Sequence, residues 1–299
     1  MQLQSTFIKA YILPQDNLLH SIQNKSPHHP LTTMSDAKKL RTHPQYELLY
    51  HPSIPGRGEF IRLCFEATGV PYTDVANEKP SGYDTVQSIC MNSSLTSADS
   101  NPPVFAPPAL RVPGAGADGK ALVIAQTPSI LMYLSERLGL APDDEAATYH
   151  VYQLAFTALD LNNEVHDTHH PLAVAKYYED QKDAALVKAA DVRESRLPKF
   201  FSYFERTLRF NEENGGGEGK YLVGGRLTFA DLVVWQVIDG LYFSFPKEME
   251  ARKKEYGKLL DGFYESVKQE GGLKEYLKSE RRLPYSQGVF RYYPELDRQ

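Results

Sequence analysis

A proline pair set directly before a short apolar run, Pro107-Pro108-Ala109-Leu110, constrains this chain more than any other feature, together with Gln126-Thr127-Pro128 beyond a polar hairpin. The first element is a place where a cis peptide can bend a strand end toward a ligand. The second reads as a helix start, with Thr127 expected as N-cap and Pro128 as first helical residue, where its missing N–H costs nothing. Free amides and the positive end of the helix dipole at such a start suit a carboxylate. The two together predict a site for a small, extended, anionic peptide.

With 299 residues the chain has room for two domains, each with its own core. A formal net charge of −5 leaves no basic excess for nucleic acid, so a polynucleotide partner is not expected. Cys64 and Cys90 form no C-x-x-C pair, which argues against a disulfide framework or a zinc knuckle and for a reducing, cytoplasmic setting. No apolar run approaches the roughly 20 residues of a membrane helix, so no membrane partner is expected. Residues 1–45, dominated by Gln, Asn, Ser, His and Pro, read as a disordered extension. Before Met34 its only basic residues are Lys9 and Lys25, and Asp16 interrupts them, which speaks against a mitochondrial presequence and leaves Met34 as a candidate start.

Residues 46–138 alternate strand and helix signals. Tyr46 to His51 reads as a strand, Gly58 to Thr68 as a helix closed by Gly69, and Pro71 to Val75 as a second strand. A weak helix over 81–92 follows, then a hairpin of Ala109 to Val112 with Ala121 to Ile124, then a helix from Pro128 to Leu138. This βαβ-α-ββα order requires a mixed sheet with helices on both faces. After a linker at 139–147 strand signals almost vanish, and residues 148–280 read as an all-helical bundle. Its expected helices are 148–165, 186–210, 228–243 and a last one from Tyr256 through Val267 to Gly271. The third is apolar nearly all round and belongs at the centre, with Thr228 and Asp231 resembling a capping box. Residues 281–299 carry aromatics without period and are expected to pack on the surface, at the mouth of a pocket.

Five motifs in order, Tyr50, Pro55-Gly56-Arg57-Gly58-Glu59 with Arg62, Pro107-Pro108-Ala109-Leu110, Gln126-Thr127, and the box from Leu227 to Asp231, resemble the soluble glutathione transferases, closest to the sigma-like group. The resemblance covers residues 46 to about 280. It implies an α/β, thioredoxin-like N-terminal domain that binds glutathione as co-substrate, an all-α C-terminal domain that supplies the electrophile pocket, and a homodimer. The implied activity is a detoxification-type transfer of the glutathione thiolate to small hydrophobic electrophiles. A free thiol titrates near ~8.5, and lowering that by roughly two units takes about 2.7 kcal/mol of preference for the anion, within reach of one aimed hydroxyl and a helix dipole.

The resemblance makes Tyr50 the candidate hydroxyl that donates to the sulfur. The interval from Tyr50 to Arg57 is one residue longer than in Tyr-using relatives, and Ser53 in Ser53-Ile54-Pro55-Gly56-Arg57 resembles the hydroxyl of Ser-using relatives, so both stand as catalytic candidates. Glutathione-binding residues carried over by the resemblance are Arg57, Pro107, Pro108, Ala109, Gln126 and Thr127. Gln126 and Thr127 grip the γ-glutamyl carboxylate, whereas Pro107 offers the cysteinyl unit a carbonyl but no N–H. Arg57 is expected to stiffen the domain contact, and Asp160 or, preferably, Glu164 to reach a partner's glutathione amine across a dimer.

Tyr152, His166 and His170 are the expected electrophile-pocket residues, with Tyr177 and Tyr178 as further candidates. His166, His169 and His170 at i, i+3, i+4 could face a metal, but Pro171 ends that helix and no additional ligand is predicted nearby, so no metal is expected. A glutathione-binding protein of regulatory or assembly function is the alternative to an enzyme. A reductase using a cysteine at the first turn is disfavoured, because residues 50–58 hold no Cys and Cys64 falls inside the helix as a core residue.

Overall fold

The computed structural model describes residues 44–93 and 100–299, so the extension expected at 1–45 lies almost wholly outside the described residues. In chain order the first half contains β1 (Glu47–Leu49), α1 (Glu59–Thr68), β2 (Thr73–Asp74), the single-turn α2 (Val75–Glu78), α3 (Gly82–Cys90), β3 (Ala109–Val112), β4 (Leu122–Ala125) and α4 (Thr127–Leu138). The expected order holds, with α2 as an addition and β2 reduced to two residues.

The sheet runs β2-β1-β3-β4, with β1 parallel to β2 and both other pairs antiparallel. A parallel pair needs a crossover, and α1 supplies it. The pleat then sorts the side chains. Leu49, Ala109 and Val123 meet Val86, Ile89 and Cys90 of α3 on one face. Tyr46, Leu48 and Leu110 join α1 and α4 on the other, and Tyr50 continues that alternation past the strand end.

The helical half comprises α5 (Glu145–His166), α6 (Lys182–Asp191), α7 (Leu197–Glu213), α8 (Phe229–Ser244), α9 (Pro246–Lys253), α10 (Tyr264–Val267) and α11 (Leu273–Tyr276). α5 begins at Glu145, earlier than expected, because the Asp144 carboxylate accepts from the Ala147 N–H at 2.7 Å and caps it there. The helix expected at 186–210 is two helices joined through a wide turn over 192–196, and the one expected from Tyr256 to Gly271 opens with a similar turn over 258–263. α8 is buried almost throughout, as its sequence requires, and packs on α5 and α1. Its capping box is formed: the Asp231 carboxylate accepts from the Thr228 N–H at 2.7 Å and from the Leu222 N–H at 2.7 Å.

A buried charge network joins the halves. Glu59, at the start of α1, accepts from Tyr276 Oη at 2.6 Å and from Arg62 at 3.0 Å, and pairs with Arg282. Arg62 also holds Asp74 at 2.7 Å, and Arg282 holds Asp239 at 2.7 Å. Burial would raise the Glu59 carboxyl, but Arg282 and Arg62 prevail and hold it below the ordinary value. The tail packs back against the body of the protein. Val289, Phe290 and Leu296 are buried, and the fully buried Asp297 accepts from the first amides of α9, Lys247 at 2.9 Å and Glu248 at 3.1 Å.

Candidate active site

Strand register builds one side of the site. Leu49 lies opposite Ala109, and Ala109 opposite Ala125, so Tyr50, Pro108 and Gln126 emerge side by side at one end of the sheet. The Pro107-Pro108 peptide is cis, and Pro108 and Ala109 are buried. Gln126 turns the chain at φ +72°, which starts α4 at Thr127. Gln126 therefore occupies the N-cap position expected for Thr127, and Thr127 is the first helical residue. Thr127 is buried, and its Oγ1 has no hydrogen-bond partner among the described residues.

Tyr50 is 6% exposed, and the turn Pro55-Gly56-Arg57-Gly58 wraps its ring. A Cβ at Gly56 would stand 2.3 Å from Tyr50 Oη, and one at Gly58 2.7 Å from Tyr50 Cδ1, so both positions need glycine for this approach. The Arg57 N–H donates to Tyr50 Oη at 2.9 Å, which leaves the phenolic proton to donate elsewhere. Burial raises the Tyr50 pKa, only partly offset by the Arg57 N–H and the Arg62 and Arg57 charges, so the phenol is protonated at neutral pH.

Beside Tyr50 opens a cavity of about 490 Å³. His51, Ile54 and Arg57 extend the wall that Tyr50 begins. Asn163, His166 and Asp167, from the end of α5, form the facing wall, and Val289 and Arg291 of the tail close it. Arg57 spans the halves by donating to Asn163 Oδ1 at 2.5 Å. His51 is held by a 3.1 Å contact between its Nδ1 and Tyr83 Oη, and burial lowers its pKa.

Other expected site residues stand elsewhere. Ser53 sits exposed at φ +62° on the turn, its N–H on Asn77 Oδ1 at 2.9 Å, outside the cavity wall. Pro107, Pro108, Gln126 and Thr127 also lie outside that wall, along the sheet end. Glu164 is one position, about 100°, around α5 from Asn163. It faces a separate groove with Asp160, in a bidentate pair with Arg196 at 2.8 and 2.7 Å. Tyr152 is removed from the cavity because 14 residues of helix separate it from His166, about 21 Å of rise; it packs on Phe156 and Phe229 instead. His170 stacks on His166 at 5.0 Å without itself lining the cavity. Tyr177 is exposed, and Tyr178 anchors the tail through Glu295 at 2.8 Å and a stack on Tyr293.

His51, Asn163, Val289 and Arg291 are wall residues that the sequence did not single out. Asn163 and Asp167 carried a signal, a polar i, i+4 pair interrupting an apolar stripe. The tail as a segment is expected at the mouth of a pocket, but without periodicity no single residue of it stands out.

Residues 166–280 match the family model for the glutathione S-transferase C-terminal domain. A curated glutathione S-transferase of Plasmodium falciparum (isolate 3D7) is 25% identical over 203 residues, 68% of this chain and 83% of that protein. The solved pi-class glutathione S-transferase of Onchocerca volvulus superposes with a TM-score of 0.58 at 20% identity, covering 81% of this chain and 97% of the other. The Fasciola hepatica sigma class enzyme gives 0.58 at 20% identity, covering 81% and 98%. These likenesses carry the fold, a thioredoxin-like domain followed by a helical one.

Proposed function

We propose that this chain is a glutathione transferase of the soluble family, in which the Tyr50 hydroxyl donates a hydrogen bond to the glutathione sulfur, holding it as thiolate for attack on small hydrophobic electrophiles in the adjoining cavity. The observation that carries this reading is the Arg57 N–H on Tyr50 Oη at 2.9 Å. Because the oxygen already accepts, its own proton is directed outward, and the raised pKa keeps that proton in place. A protonated phenol beside an anion is a charge-assisted donor, about twice as strong as a neutral pair.

The tripeptide fits the sheet end by length. From Leu49 across Ala109 to Ala125 is two strand spacings, about 9–10 Å, and three extended residues reach about 10–11 Å. In this arrangement the sulfur lies at Tyr50, the cysteinyl backbone meets the Pro107 carbonyl beside Pro108 and Ala109, and the γ-glutamyl carboxylate reaches Gln126 and the amides of α4. The unpartnered Thr127 Oγ1 supports the last contact. The proposal includes a cytoplasmic homodimer with a detoxifying role, and Glu164 enters it only across that dimer, since it faces away from its own chain's cavity.

Tyr50→Phe and Ser53→Ala separate the two hydroxyls. Tyr50→Phe is expected to lower the conjugation rate about 10- to 100-fold, equivalent to about 1.4–2.7 kcal/mol. It should also weaken the ultraviolet thiolate band of bound glutathione at neutral pH, while Ser53→Ala leaves both within about twofold. Retention of rate and band in Tyr50→Phe overturns the assignment.

A further inference from the structure

The end of α5 holds a feature that glutathione chemistry does not use. His166 is the last residue of the helix, and the chain then turns, with the Thr168 N–H on the Val165 carbonyl and the His169 N–H on the His166 carbonyl. The sequence argument against a metal assumed a helical face cut off by Pro171. In the structure the turn itself gathers the rings. Their centroids lie 5.0, 5.0 and 4.8 Å apart, and one ligand nitrogen from each of the three lies within 4.8 Å of the others.

Each ring has one nitrogen facing an oxygen that can only accept. His169 Nε2 is 2.8 Å from the Val289 carbonyl, and His170 Nδ1 is 3.0 Å from the Lys176 carbonyl, with the Gln181 amide nitrogen farther off at 3.4 Å. His166 Nδ1 is 3.3 Å from the Asp167 carboxylate. In the neutral imidazole the proton sits on the nitrogen facing the acceptor, so the lone pairs fall on His169 Nδ1, His170 Nε2 and His166 Nε2. Back-bonding of this kind orients metal-binding histidines. His169 is 1% exposed, and its Nδ1 is buried without a partner among the described residues. A buried acceptor left unpaired is costly, and a bound cation would relieve that cost.

We propose that His166, His169 and His170 form a tri-imidazole site for a divalent transition-metal ion, Zn²⁺ in the first instance, beside the Tyr50 cavity. Nitrogens bound to one zinc at ~2.0–2.1 Å stand about 3.4 Å apart in a tetrahedron, so the rings close by about 1.5 Å or less. His166 and His170 are half-buried, whereas His169 is buried and held at the Val289 carbonyl. Three imidazoles leave a fourth position for water or another ligand. Among nearby charges the Asp167 carboxylate favours the cation and the Arg291 guanidinium opposes it. The site is independent of the glutathione reading.

The test uses the tag-free full-length chain, stripped with chelator and titrated calorimetrically with Zn²⁺, with Co²⁺ absorption reporting coordination. One equivalent per chain is expected, with a Co²⁺ spectrum of a four- or five-coordinate site. Affinity should fall at least about tenfold in His170→Ala and, separately, in His166→Ala, each checked for native circular dichroism. Absence of stoichiometric uptake, or a smaller loss in either variant, overturns the proposal. Uptake retained in both variants would assign the binding to other histidines, such as the His28-His29 pair of the extension.

Discussion

Tyr50 reaches the cavity from a strand end whose neighbours are fixed by backbone pairing, whereas Val289 and Arg291 reach it from a tail held by side chains; His169 grips the Val289 carbonyl from 120 residues away. On the first side a shift of one residue in register would turn every side chain to the opposite face, so position is specified by the sheet. On the second side the contacts can be changed one at a time. On the reading proposed above, the side assigned to glutathione is built from backbone, and the side assigned to the electrophile from replaceable side chains.

The largest expected effect comes from cutting what both sides share. Glu59→Ala leaves Arg62 and Arg282 buried without their common carboxylate, and the loss should be about 3–5 kcal/mol, read as a lower denaturant midpoint. If stability falls by less than about 1 kcal/mol, the two sides do not depend on this seam.

Asp231 offers a control remote from either side. Burial raises its pKa to about 6, above its unfolded value, so its contribution is fully present below the unfolded pKa and is lost as pH rises through about 6. Relative to Asp231→Asn, the native chain should gain up to about 1.4 kcal/mol per pH unit as pH falls from 6 toward 4.5. Denaturant midpoints of the two proteins that run parallel across that window would refute the linkage.

A methyl group on the backbone-built side should act on chemistry. Gly56→Ala sets a Cβ against Tyr50 Oη at a φ of +43° that favours glycine, and the conjugation rate should drop at least about tenfold. An unchanged rate would show that the hydroxyl need not be held where it is. The smallest effect is expected on the tail side: Val289→Ala should move the KM for an apolar electrophile about three- to tenfold and the KM for glutathione less than twofold. Equal movement of both would erase the division between the sides.

Much of the first side was legible in the sequence because it rests on local signals. Pro107-Pro108 ahead of an apolar strand, Gln126-Thr127-Pro128 at a helix start and Tyr50 at a strand end each follow from short-range chemistry, and the error at Thr127 was a single residue. The second side was hidden for physical reasons. Glu164 and Tyr152 share α5 with the wall residues, but helix phase turns one away and helix length carries the other off. The tail's position is set by contacts such as Arg282 with Glu59, 223 residues apart, which no local pattern announces. The wide turn at 192–196 likewise left no mark in the apolar spacing that predicted one helix.

The return of the tail also has a consequence for the order in which the protein is made. Tyr50 and its sheet can assemble while translation continues, but Val289 and Arg291 are added long after them, and Glu59 waits 223 residues for Arg282. Until those residues leave the ribosome, the nascent chain carries an acidic group without its final counterion and a groove with one side open.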